Sequence, residues 1–157
     1  ERALDMVECA KYSGVDAVKF QTFKTENLVT SNAATAPYQK KSTQKEFQYD
    51  LLKRLELSQD DFMKIKDRCD DIGVEFLATP FDDESLDFLL NLGVKAIKIG
   101  SGDMNNIPFL KKIASTKLPI ILSTGMSDLN EVKEVSGVFD KSRLIILHCH
   151  SLYPTPL

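Results

Sequence analysis

Five short apolar runs in this sequence each end in side chains able to do chemistry. They are Lys19-Phe20-Gln21-Thr22, Thr79-Pro80-Phe81, Lys98-Ile99-Gly100-Ser101-Gly102-Asp103, Ser123-Thr124-Gly125-Met126 and His148-Cys149-His150-Ser151-Leu152-Tyr153-Pro154. Together these residue types suit a small phosphorylated anion. Lys19 and Lys98 supply charge, Thr79, Ser101 and Ser123 supply directional hydroxyl donors, and Gly100 and Gly102 let backbone N–H groups approach phosphate oxygens closely. Each signal is weak alone, since a lone strand-end lysine is commonly a solvated surface residue and two-glycine turns are frequent. Two lysines in equivalent places, each between apolar neighbours, make the surface explanation harder. The same lysines admit a second chemistry, that of a Schiff-base aldolase with Lys19 or Lys98 as nucleophile. His148 and His150 have the i, i+2 spacing of a metal pair on a strand. No carboxylate or third ligand stands near them, so they read as packing or hydrogen-bonding residues and no metal ligand is assigned.

The elements that position these residues can be read from periodicity. Val15–Thr22, Val74–Phe81, Val94–Ile99, Pro119–Thr124 and Leu144–Cys149 are near-continuous β-branched and apolar runs, as parallel strands covered by helices require. Strand side chains alternate, so Lys19 and Gln21 share a face opposite Phe20, and Lys98 lies opposite Ile97 and Ile99. Helical patterns fill the gaps. Glu1–Ser13 places Leu4, Val7, Cys9, Ala10 and Tyr12 on or near one face, with Gly14 as the stop. Ser58 caps a helix to Ile72 with Asp61 near its N-terminus and Gly73 after it. Asp82 or Asp83 caps Glu84–Asn91, Asn106 caps a helix with Pro108 in its first turn, and Ser127 caps Asp128–Gly137. Lys24–Leu57 is a long polar insertion, read as a surface loop with a short helix near Lys45–Leu55; such loops are often functional.

Alternating strands and helices with short links predict a parallel α/β architecture. Five βα units fit either a doubly wound flavodoxin-like domain, complete at five strands, or a piece of a (β/α)8 TIM barrel. A flavodoxin-like sheet uses one crevice at its switch point. A barrel gathers every strand end at one mouth, so polar endings on all five strands favour the barrel.

Composition bounds the rest. The 157 residues suffice for one domain with a real core; 43% are hydrophobic and 27% charged, which reads as a soluble globular chain. A net charge of −3 argues against a nucleic-acid platform, and no apolar run approaches the roughly 20 residues of a membrane helix. Cys9, Cys69 and Cys149 are odd in number and widely spaced, which predicts reduced, mostly buried thiols in a cytoplasmic protein. The chain opens at Glu1 inside an amphipathic pattern without a signal peptide, which suggests a native N-terminus further upstream.

At these residues the chain resembles the sialic acid synthase family, which includes the legionaminic and pseudaminic acid synthases. The resemblance is carried by Gly14-Val15-Asp16-Ala17-Val18-Lys19-Phe20-Gln21, Phe76-Leu77-Ala78-Thr79-Pro80-Phe81, Lys98-Ile99-Gly100-Ser101-Gly102-Asp103, Leu122-Ser123-Thr124-Gly125-Met126 and Leu147-His148-Cys149 through Tyr153-Pro154-Thr155-Pro156. Any one segment is weak; five in order across nearly the whole chain are specific. The resemblance implies a TIM-barrel enzyme condensing phosphoenolpyruvate with N-acetylmannosamine or a similar sugar to a nine-carbon 2-keto acid and phosphate, by C–O cleavage. By that analogy Lys19, Thr79, Lys98, Ser101 and Ser123 match phosphoenolpyruvate-binding positions, with Lys19 and Lys98 catalytic. Gln21 and Tyr153 match positions that hold the sugar. Ser151 matches a substrate-contacting position that is Asn in many bacterial sialic acid synthases, which leaves the acceptor open.

The resemblance also implies a divalent metal, Mn2+ or Mg2+, that holds water and polarises the aldehyde, with histidine ligands on strands outside this chain. A catalytic Glu on a preceding strand, a following antifreeze-like domain and a cytoplasmic homodimer belong to the same expectation. The chain then holds the second to sixth βα units, an incomplete barrel with two unpaired edges, expected to be inactive and poorly soluble alone. Three other functions remain open: the Schiff-base aldolase, a keto-deoxy sugar phosphate synthase and a non-catalytic flavodoxin-like binding module. The second needs further Arg or Lys for a second phosphate, and the strand ends offer only Lys19 and Lys98.

Overall fold

A computed structural model describes residues 1–35, 47–152 and 155. Five strands, β1 (Ala17–Thr22), β2 (Glu75–Pro80), β3 (Ile97–Ile99), β4 (Ile120–Ser123) and β5 (Leu144–Leu147), form one parallel sheet in the order β1-β2-β3-β4-β5. Each strand therefore pairs with the next in sequence. A flavodoxin-like sheet would place its second strand outside the first, so the sequential order removes the five-strand doubly wound alternative. The sheet is open, with β1 and β5 as its edges.

The described helices are α1 (Arg2–Tyr12), α2 (Thr25–Leu28), α3 (Gln48–Leu55), α4 (Gln59–Ile72), α5 (Asp83–Asn91), α6 (Ile107–Ser115) and α7 (Leu129–Ser136). Their starts follow capping chemistry. Ser58 accepts from Asp61 N while Asp61 accepts from Ser58 N, closing a capping box, and α4 ends at Gly73 with φ +68°. Asp82 caps α5 and Asn106 caps α6. At α7 the cap is Asp128 rather than Ser127: its carboxylate accepts from Asn130 and Glu131 N–H groups, serving two orphan donors where a hydroxyl one residue earlier would reach neither.

One face of the sheet is covered. Phe20, Phe76, Ile97, Ile99, Ile120 and Leu122 pack against Phe62, Leu86, Leu89, Leu110 and Ile113 from α4, α5 and α6. Phe20 stacks on Phe76 at 5.8 Å and meets Phe62 edge-on at 6.4 Å. Only Val7 of α1 is buried; Tyr12 is 96% exposed and Cys9 is exposed, so that helix buries a narrower stripe than its sequence suggests. Of the three free thiols only Cys69 is buried; Cys149 is half-buried, which corrects the expectation of mostly buried cysteines.

The opposite face of the sheet is bare at its two edge strands, while Thr79, Lys98 and Ser123 between them are buried. It carries Lys19 and Gln21 on β1, both exposed, and Ile145 and Leu147 on β5, 54% and 37% exposed. On β5 the exposure extends to Ile146 at 46%, which belongs to the other face. No described helix is long and apolar enough to cross a membrane.

The insertion after β1 is tied down where it is described. Glu56 accepts from the Thr25 N–H at 3.0 Å and its hydroxyl at 2.6 Å, while Lys53 meets Glu26 at 2.9 Å and Tyr49 donates to Glu26 at 2.9 Å. Hydrogen bonds from Lys53, its own backbone and Tyr49 bring the Glu26 carboxyl down to about 2. An antiparallel bridge joins Ala34 and Phe47 within the insertion. The short helix expected near Lys45–Leu55 is α3, starting at Gln48; residues 45 and 46 lie outside the described residues.

Candidate active site

Register places the reactive side chains. Gln21 pairs with Thr79, and Ala78 pairs with Ile97, which sets Thr79 beside Lys98 on the next strand. Gln21, Thr79 and Lys98 therefore make a row across the bare face near the C-terminal strand ends. Lys19, paired with Leu77, lies two residues earlier on β1. Lys98 pairs with Ile121, so Ser123 sits one alternation further along β4 on the same face.

Lys98 is the best-defined member. It is 8% exposed, and its Nζ donates to Ser123 Oγ at 2.6 Å and to the Ile99 carbonyl at 2.7 Å. Among the described residues no carboxylate pairs with it. Desolvation first, then the Lys19 charge, push its ammonium below the ordinary lysine range, against a smaller opposing influence of Cys149. Ser123 and Thr79 are buried at its sides, at 8% and 2% exposure. This is a cation held out of water by neutral groups, and a bound anion would supply its missing counter-charge.

The loops after β3, β4 and β5 converge beside it. Ser101 opens a single 3-10 turn (Ser101–Asp103), and its Oγ accepts from the Gly125 N–H at 2.9 Å. Ser151 Oγ and the Cys149 carbonyl approach the same glycine, so side chains from two loops meet over the backbone of a third. Met126, next in sequence, has φ +65° and is 79% exposed. His148 and His150 are exposed, with Cys149 between them. Among the described residues no three His, Cys, Asp or Glu come together as a metal site.

Of the residues singled out from sequence, Lys19, Gln21, Thr79, Lys98 and Ser123 share the bare face, and Ser101 and Ser151 converge at Gly125. Tyr153 lies outside the described residues. Gly125 and Cys149 were given no role by sequence reasoning. The Ser-Thr-Gly-Met ending was the signal for Gly125, but a close approach by two other loops leaves no mark in one sequence.

The NeuB family profile matches residues 6–157 of this chain. The chain belongs to the NeuB family. Over 97% of its length it is 46% identical to an N,N'-diacetyllegionaminic acid synthase of Legionella pneumophila, covering 45% of that protein. It is 35% identical to an N-acetylneuraminate-9-phosphate synthase of Drosophila melanogaster, across 99% of this chain and 42% of that one. The crystal structure of an N-acetylneuraminic acid synthetase from Leptospira borgpetersenii, in complex with citrate, superposes with a TM-score of 0.84 at 32% identity, over 98% of this chain and half of that one. This NeuB chain thus spans about half the length of the relatives it matches. Its α/β fold with a parallel sheet is similar to that of the sialic acid synthetase.

Proposed function

We propose that this chain is the central part, about the second to sixth βα units, of a (β/α)8 barrel enzyme. It condenses phosphoenolpyruvate with an N-acetylated amino sugar to a nine-carbon 2-keto acid and phosphate. The observation that carries the reading is Lys98, a buried ammonium bonded among the described residues only to neutral groups, with Lys19 in electrostatic range. Such a site is organised for an anion before the anion arrives.

In this reading Lys98 and Lys19 hold the phosphate and carboxylate of phosphoenolpyruvate, with hydroxyl donors from Thr79, Ser101 and Ser123. Gln21, Ser151 and Tyr153 face the sugar. Carbon 3 of the enol bonds to the aldehyde carbon of the open-chain sugar, and positive charge develops at carbon 2. Water adds at carbon 2, and the resulting tetrahedral centre expels phosphate by C–O cleavage, leaving the 2-keto acid. The lysines and hydroxyls keep the phosphate anionic and fixed while this charge forms and collapses. The divalent metal that the family resemblance implies would take its ligands from outside this chain, and among the described residues no three candidate ligands come together. The full-length enzyme is read as a cytoplasmic homodimer taking small-molecule substrates.

The test is phosphate release by the full-length protein with phosphoenolpyruvate and a panel of acceptors. The panel contains N-acetylmannosamine, its 6-phosphate and a diacetylated legionaminic precursor. The expected result is release that needs both substrates and favours an unphosphorylated sugar, since the strand ends offer only Lys19 and Lys98 as cations. No release with any acceptor refutes the reading.

One observation favours a second chemistry. A desolvated lysine beside another cation is also how a Schiff-base nucleophile is made. A covalent adduct on Lys98 after pyruvate and borohydride treatment would select the aldolase instead.

A further inference from the structure

Gly125 has no role in the chemistry just described, yet two of the proposed substrate-contacting hydroxyls are packed against it. A Cβ built at this position would overlap Ser151 Oγ, stand 3.0 Å from Ser101 Oγ and 3.4 Å from the Cys149 carbonyl. Its backbone dihedrals do not demand glycine, since its φ lies outside the positive range that favours glycine and Gly14, Gly73 and Gly93 occupy. The missing side chain is therefore required by its neighbours. The Gly125 N–H also fixes the hydroxyl of Ser101, which accepts from it at 2.9 Å. A serine oxygen that already accepts from a backbone N–H keeps its own O–H free to donate. Ser123 is set the same way by a different donor, because its Oγ accepts from Lys98 Nζ at 2.6 Å.

We infer that Gly125 is a positioning residue: by its N–H and its lack of a side chain it holds the Ser101 hydroxyl as a donor and admits Ser151 beside it. This rests on the anion-site reading above. Ser101 and Ser123, each accepting one such bond with its O–H free to donate, suit an oxyanion that only accepts. Ser101 and Gly125 also border a cavity of about 380 Å³, so a crowded Ser101 hydroxyl has room to rotate away. Adding a methyl at Gly125 therefore turns hydroxyls out of the site while costing the fold little.

The experiment uses the full-length protein and compares Gly125→Ala, Ser151→Ala, the double variant and Lys98→Ala. Phosphate release is followed at varied phosphoenolpyruvate, and Tm is measured for each. Gly125→Ala is expected to raise the KM for phosphoenolpyruvate about tenfold, the usual scale for one lost hydrogen bond to a charged group, with kcat changed less. Its Tm should stay within about 3 °C of wild type. In the Ser151→Ala background, where the overlapping oxygen is gone, the same substitution should cost about threefold or less. Wild-type KM and kcat in Gly125→Ala, beside a severely impaired Lys98→Ala, overturn the positioning role and leave the anion site standing. An equal penalty with and without the Ser151 hydroxyl overturns it too, as does loss of folding in Gly125→Ala. If Lys98→Ala turns over normally, the anion-site reading falls, and this inference with it.

Discussion

Replacing Lys98 with Met in the full-length protein should separate activity from stability. Two unit charges about 4 Å apart at an effective dielectric of about 20 attract by about 4 kcal/mol, roughly a thousandfold in rate or affinity. Lys19 remains and water enters the gap, so the expected fall in kcat/KM is on the order of a hundredfold or more. Stability should move the other way. Among the described residues Nζ has two neutral hydrogen-bond partners and no carboxylate, and its folded-state pKa lies below the ordinary 10.5. The unfolded chain therefore binds the proton more tightly. Wild-type stability carries the full burial cost at neutral pH, rises as pH climbs through the depressed folded value, and levels off near the unfolded one. Met has similar volume and no charge, so Lys98→Met should gain about 1 kcal/mol at pH 7 and lose that alkaline rise. Phosphate release and urea melting between neutral and alkaline pH measure both. Turnover within threefold of wild type, or a variant destabilised by about 2 kcal/mol, would refute the account of a buried cation awaiting an anion.

Other perturbations follow the same physics. Thr22 Oγ1 is buried without a partner among the described residues, so Thr22→Val should be neutral or raise stability by up to about 1 kcal/mol in urea melts; clear destabilisation would reveal a hidden partner. Gly73 ends α4 at φ +68°, and Gly73→Ala should cost about 1 kcal/mol, so an unchanged urea midpoint would contradict the left-handed cap. Burial pushes the Asp103 carboxyl above its ordinary 3.8, with Oδ2 unpartnered among the described residues, so wild-type stability should rise as pH falls through that raised folded value towards 3.8. Asp103→Asn should remove that slope, and an identical pH profile in the variant would reject the assignment.

Much of the architecture was legible because burial on the covered face wrote it into the sequence. Phe76, Ala78, Ile97, Ile99, Ile120 and Leu122 must be apolar to pack beneath helices, and they are the residues that made the strand runs visible. The observed strands are shorter than those runs, since Val15, Val94 and Cys149 lie in connections whose apolar character does not report pairing. Lys98 could be placed opposite Ile97 and Ile99 by alternation alone, but its bond to Ser123 depends on the β3–β4 register, which no local pattern encodes. Tyr12 misled because helical phase gives a direction, whereas burial needs a neighbour, and the Tyr12 ring meets little among the described residues. Gly125 was invisible for the same reason: its constraint comes from Ser101 and Ser151, distant in sequence and met only in the fold.

The strand order has a consequence for how the chain comes to be folded. With β1-β2-β3-β4-β5 in sequence order, every pairing joins neighbours separated by one connection, and the longest is the insertion between β1 and β2. Loop-closure entropy grows with the length of chain enclosed, so β2-to-β5 growth meets small, similar barriers while the first pairing meets the largest. During synthesis each strand from β2 to β5 emerges with the strand before it in sequence already made. Nucleation at β1–β2 is then the slow event, and shortening the insertion should speed assembly more than any change to the later units.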